Sequence, residues 1–184
     1  MKATNILMDE HRVIERLIAA LEIATNRLGS GQTIRSGFFI DASEFIKGFA
    51  DDCHHNKEEG VLFPAMEAAG VPREGGPIGA MLADHAAGRL FNRNLRAAAE
   101  KLVAGDRSSI AEIERNALGY VRLLRQHIMK EDRVLFPMAD HVIPTEKQAQ
   151  VNEGFDRIEH EETDEGLHEK YLALAETLER EVIT

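Results

Sequence analysis

Apolar residues recur every three or four positions along most of the chain, the period of an amphipathic helix. Ile6, Leu7, Val13, Ile14, Leu17, Leu21 and Leu28 mark a first helix over about Asn5 to Leu28. Thr4 or Asn5 can cap its start, and Gly29-Ser30-Gly31 ends it. A second helix begins near Arg35 and carries Phe38, Phe39, Ala42, Phe45, Ile46 and Phe49. It continues through Cys53-His54-His55-Asn56-Lys57-Glu58 to Val61-Leu62-Phe63, where Pro64 is expected to kink or end it. Gly70 to Pro77 reads as the clearest loop. The third helix covers about Ile78 to Ala104 and stops at Gly105. Ser109 with Glu112 forms a capping-box pattern for a fourth, whose Ile113, Leu118, Val121, Leu124, Ile128 and Leu135 lead to Pro137. Thr145 with Gln148 repeats that pattern before a fifth helix, which runs to the C-terminus with a break near Gly166.

No segment alternates like a strand, and no long linker interrupts the pattern. The chain is therefore expected to be all-α: an up-down-up-down four-helix bundle over about residues 4–140, with an additional C-terminal helix packed outside it over about 145–182. A length of 184 residues, 43% of them hydrophobic, suits a single domain over 1–184.

Charge narrows the choice of partner. The net charge of -10 repels a phosphate backbone, which argues against nucleic acid. No apolar run reaches the roughly 18 residues of a membrane span. Met1-Lys2-Ala3-Thr4 leads straight into an amphipathic pattern with Asp9, Glu10 and Arg12, without the features of a secretory leader. The single cysteine, Cys53, allows no internal disulfide and no cysteine-built metal site; it fits a reducing, cytoplasmic setting and reads as a small buried residue.

Two segments of the chain repeat each other. Residues 54–64 and 127–137 both hold His-x-x-x-Glu followed by Val-Leu-Phe-Pro, so His54 matches His127 and Glu58 matches Glu131 at a separation of 73. Upstream, Leu7-Met8-Asp9-Glu10-His11 resembles Met81-Leu82-Ala83-Asp84-His85, 74 residues on. Each half is thus a helical hairpin with a lone histidine on its first helix and His-x-x-x-Glu on its second. Residues four apart share a helix face, so an imidazole and a carboxylate can converge on one ion. The lone histidine of the partner helix can reach the same depth. A single His-x-x-x-Glu is common on solvated helix faces. Two copies set in apolar sequence, each with a matched upstream histidine, are what metal ligation requires and what a duplication kept for packing does not.

These residues resemble the hemerythrin-like (HHE cation-binding) family over about residues 4–140. The resemblance implies a non-haem diiron centre held by His11, His54, Glu58, His85, His127 and Glu131, with a bridging water or hydroxide. Glu58 and Glu131 would bridge the irons, with His11 and His54 mainly on one and His85 and His127 mainly on the other. The chain departs from the oxygen-carrying members at two places. Arg89 stands where they have a second histidine on the third helix, and Asp132 sits at the spacing of their fourth-helix aspartate. Glu131 and Asp132 therefore compete for one role, and the internal repeat favours Glu131. The missing imidazole leaves either an open coordination position or a place for another residue.

His168 is the candidate to fill that gap. His55 and Glu59 repeat the spacing one residue on, which in an α-helix turns them about 100° away, toward the surface or behind the ligands. His141 and His160 read as solvated. Glu165-x-x-His168 resembles half of a ferritin-type motif, but its second copy is missing. The expected function is to bind or react with a small ligand: oxygen, another diatomic such as nitric oxide, or peroxide. The rival is a non-enzymatic iron or oxygen sensor, or an iron store, whose C-terminal helix meets an unidentified protein partner.

Overall fold

A computed structural model describes residues 2–160 and 166–183, and it is helical throughout, with no strand among the described residues. Four arms form the bundle. The first is α1, Ala3–Gly29. The second runs through α2 (Phe38–Phe45), two π-helical stretches (Ile46–His55 and Glu58–Leu62) and α3 (Phe63–Ala68). The third is α4, Pro77–Val103. The fourth comprises α5 (Ile110–Lys130), a π turn (Glu131–Leu135) and α6 (Phe136–Val142). Beyond it lie α7 (Gln148–His160) and α8 (Leu167–Ile183), with Gly166 at φ +83° just before α8. The expected break in the C-terminal helix is there. α8 packs on α1 and α2, while α7 lies against α1 and the π turn Glu58–Leu62. No described helix is long and apolar enough to cross a membrane.

Some boundaries differ from the sequence reading, each for a local reason. The second arm becomes helical at Phe38 rather than Arg35, whose guanidinium is instead paired with Glu181 and Asp41. Asp106, not Ser109, caps the fourth arm by accepting from the Ser108 amide at 2.9 Å. Thr4 turns its hydroxyl to Asp140 at 2.9 Å instead of capping α1.

The two prolines neither end nor break their helices. Proline has no amide hydrogen to donate and its ring crowds the carbonyl four residues back. The chain absorbs both defects by widening one turn. The Phe63 amide bonds to the Glu58 carbonyl, and the Phe136 amide to the Glu131 carbonyl, both five residues back. The helix then resumes through Pro64 and Pro137. Each π turn begins at the glutamate of the repeated motif.

The core has two apolar layers. One contains Ile14, Leu17, Leu21, Phe38, Phe45 and Leu124, joined by Tyr171 and Leu178 of α8. The other contains Leu7, Leu62, Phe63, Met81, Leu135 and Phe136, joined by Phe155 of α7. In every arm the buried histidines fall between residues of the first layer and residues of the second. A polar band is thereby enclosed between two slabs of hydrocarbon.

Candidate metal centre

Two groups of ligand-type side chains meet in that band. His11, His54, Glu58 and Glu131 form one, and His55, Glu58, His85 and His127 form the other. All are buried, and His11, Glu58 and Glu131 have no exposure at all. Each glutamate reaches histidines of both groups. Glu58 Oε1 is 3.5 Å from His54 Nε2, while its Oε2 is 3.3 Å from His85 Nε2. Glu131 Oε2 is 3.3 Å from His11 Nε2 and 3.0 Å from His127 Nε2. Each carboxylate can therefore meet donors of both groups at once.

The structure thus brings together all six residues singled out by the repeat, and it adds His55. The expectation that His55 points away assumed α-helical geometry. It lies instead at the end of a π-helical stretch, where each turn holds more residues and neighbours are separated by a smaller angle. His54 faces α1, its ring centroid 4.6 Å from that of His11. His55 faces the other way and stacks on His85 at 3.9 Å.

Every one of these imidazoles has a carboxylate behind it. Nδ1 of His11 is 2.7 Å from Asp132, that of His54 is 2.9 Å from Glu10, and that of His85 is 2.7 Å from Glu59. The contacts of His127 with Asp84 and His55 with Asp51 are longer, 3.4 and 3.5 Å. For His11, His54 and His85 the carboxylate accepts from Nδ1, which turns Nε2 toward the centre. Cations anchor the carboxylates in turn: Arg12 on Asp132, Lys57 on Glu10, Lys130 on Asp84, and Arg89 on both Asp51 and Glu59 at 2.6 and 2.8 Å. Of the two competitors for one role, Glu131 faces inward between His11 and His127, and Asp132 lies behind His11 on its Nδ1.

Much of this outer layer follows the internal repeat. Glu10 matches Asp84 at a separation of 74, while Lys57 matches Lys130 and Glu59 matches Asp132 at 73. The phenylalanines of the two Val-Leu-Phe-Pro copies also have matched tasks. Phe136 stacks on His11 at 5.4 Å and Phe63 on His85 at 6.0 Å. Reading every position of the repeat, and not only its histidines and inner glutamates, would have found these residues. His55 has Ile128 at its matching place, so only the His-His doublet hinted at it.

His168 does not join either group, contrary to its suggested role. The turn at Gly166 lays α8 against α1 and α2, whereas Arg89 stands on α4, paired with Asp51 and Glu59. His168 stands instead near Glu10 and Cys53, with Nδ1 3.7 Å from Glu159. Arg89 ligates nothing; it holds the carboxylates behind His55 and His85. Cys53 is buried, and burial pushes its thiol up to about 11. His141 and His160 are exposed. Glu165 of the ferritin-like pattern lies outside the described residues.

Protonation follows from this crowding. Burial opposes charge on His11, but the hydrogen bond to Asp132 and the nearby carboxylate of Glu131 outweigh it and raise the ring to about 9. Burial likewise opposes charge on His127, and the charge of Glu131 together with Asp84 raises it to about 10. His55 is pushed well below the usual histidine range by burial and by the neighbouring charge of His85.

Apart from His85 Nε2 and His127 Nε2, which lie 3.2 Å apart, the inner atoms lack hydrogen bonds. His11 Nε2, His54 Nε2, His55 Nε2 and both oxygens of Glu58 and of Glu131 are buried without a hydrogen-bond partner. Each such group costs about 1–3 kcal/mol if nothing compensates it. Imidazole nitrogens and carboxylate oxygens converging in this way fit a pair of cations.

A family model, the hemerythrin HHE cation binding domain, matches residues 2–139. Uncharacterized protein Rv1995 of Mycobacterium tuberculosis and uncharacterized protein Mb2018 of Mycobacterium bovis are each 25% identical to this chain over 154 residues. The alignments cover 84% of this chain and 60% of each relative, so the chain spans about three fifths of their length. No solved structure matches the chain.

Proposed function

Since the chain belongs to the hemerythrin HHE cation-binding domain family, we propose that it holds two non-haem iron ions and uses them to bind or react with a small ligand. The observation that carries this reading is the pair of buried glutamates, each within ion-pair distance of histidines from both groups. Five imidazoles and two carboxylates, with no thiolate in either group, make a donor set suited to iron. Bound as ferrous ions, the pair would supply electrons to oxygen, peroxide or nitric oxide. His55, His85 and His127 would serve one ion and His11 and His54 the other, with Glu58 and Glu131 within reach of both groups. The apolar layers keep bulk water away and admit small neutral molecules.

Protein purified without oxygen should contain about two iron atoms per chain, and its optical spectrum should change when oxygen is admitted. Metal-free protein from iron-rich medium that takes up none on reconstitution would sink the proposal. Turnover of peroxide or nitric oxide by the reduced protein separates a reactive centre from a sensor or store.

His55→Ala provides a sharper check on the site. It should leave about one ion firmly bound and lower affinity for the second by roughly 10–100-fold, as measured by iron titration. Unchanged stoichiometry and affinity would return His55 to the outside of the centre.

A further inference from the structure

The internal symmetry of the centre breaks down at its outer edge. Lys57 and Lys130 hold matching places, on Glu10 behind His54 and on Asp84 behind His127. Among the described residues Lys130 pairs with Asp84 alone, and its side chain is 41% exposed. The Lys57 side chain has no exposure, and Glu159 Oε2 of α7 lies 3.0 Å from its ammonium. α7 is seated closely here. A Cβ on Gly154 would come within 2.7 Å of Val61 Cγ1, on the π turn that carries Glu58. Both Gly154 and Glu159 lie beyond residues 2–139, the part that matches the family. A continuous polar path therefore leads from the C-terminal segment to one side of the centre: Glu159, Lys57, Glu10, His54.

We propose that this segment, through Glu159 and Lys57 as positioning residues, sets the electron-donating strength of His54 and so biases the redox state of the ion on the His11/His54 side. The inference rests on the diiron reading. Glu10 divides its charge between the Lys57 ammonium and the Nδ1 proton of His54. The more completely Lys57 neutralises Glu10, the weaker the pull on that proton and the poorer His54 is as a donor. Glu159 draws Lys57 toward itself and leaves more of the Glu10 charge facing His54. It thereby favours the oxidised ion. In the other half no carboxylate among the described residues plays that part, so the two ions differ in potential for a reason unconnected with their direct ligands.

The test is spectroelectrochemical titration of the iron-loaded full chain and two variants. Glu159→Gln, at a half-buried position, should keep its iron and favour the reduced state by roughly tenfold in the reduction equilibrium. Lys57→Met should shift the equilibrium the opposite way. A merely structural role for either residue predicts iron loss or shifts of the same sign. If Lys57→Met does not fold, Glu159→Gln decides alone. An iron-loaded Glu159→Gln with the wild-type potential, or shifts of the same sign in both variants, overturns this inference and leaves the diiron reading standing. A wild-type chain that takes up no iron overturns both.

Discussion

Glu58→Ala and Glu131→Ala are each expected to empty the centre of both ions rather than one. Each carboxylate lies between the two histidine groups, so its loss removes a ligand from each ion and the link between them. The metal-free proteins should suffer as well. Burial raises the cost of charge on Glu131, yet the charges of His127 and His11 hold its carboxyl far below the usual range. Removing it strands two buried, charged imidazoles, and breaking a buried pair in this way costs about 3–5 kcal/mol. Iron analysis and urea unfolding of the metal-free variants measure the two effects separately. Glu59→Ala is the comparison. Its side chain is 28% exposed and touches only the outer nitrogen of His85, with Arg89 as its other partner. It should retain both ions at saturating iron with affinity lowered about tenfold. Should Glu59→Ala empty the centre as thoroughly as Glu58→Ala, the register that points Glu58 inward is incorrect.

The contrast between Glu58 and Glu59 was legible in the sequence, and the contrast between His54 and His55 was not. Helical periodicity gave the four arms to within a few residues, because most of the apolar face follows a period of 3.6. The repeat, at separations of 73 and 74, gave six of the seven inward-facing donors, because two equivalent half-sites need equivalent residues. What periodicity cannot register is a change of period. The stretch Ile46–His55 is π-helical and turns His55 inward. Nothing in the repeat signals this, since Ile128 occupies the matching place. Pro64 and Pro137 were visible as disruptions, but the sequence does not say whether a helix ends at a proline or widens before it. The place of His168 was equally hidden, because a glycine turn such as that at Gly166 permits several directions and the packing of α8 on α1 and α2 selects one. The orienting carboxylates were in view all along. Glu10, Asp84, Glu59 and Asp132 obey the repeat, but acidic residues on a strongly acidic chain carry little information until a histidine is found in front of them.

Metal binding should be steeply dependent on pH, and the metal-free protein should respond to pH in the opposite sense. His11 belongs to one ligand group and His127 to the other, and without metal their rings are raised to about 9 and about 10. Both are then protonated at neutral pH, and each ion must expel a proton from its group to gain the nitrogen. Apparent affinity for each ion should climb about tenfold per pH unit, flattening near pH 9 as the first ring loses its proton unaided. His55 contributes nothing to this slope, because burial and the charge of His85 already hold it neutral. For stability the sign is reversed. A histidine raised from its unfolded value of about 6.5 lends stability that is complete below that value and lost as pH rises through the folded one. The metal-free protein should therefore weaken between about pH 7 and 10, as its imidazolium–carboxylate pairs lose their charge. The iron-loaded protein, whose rings are neutral throughout, should not weaken over that range. Proton release on iron addition in weakly buffered solution, followed by urea midpoints of both forms across the same range, measures both trends. Iron affinity that stays flat from pH 7 to 9 would mean that the inner nitrogens of His11 and His127 are not what the metal takes.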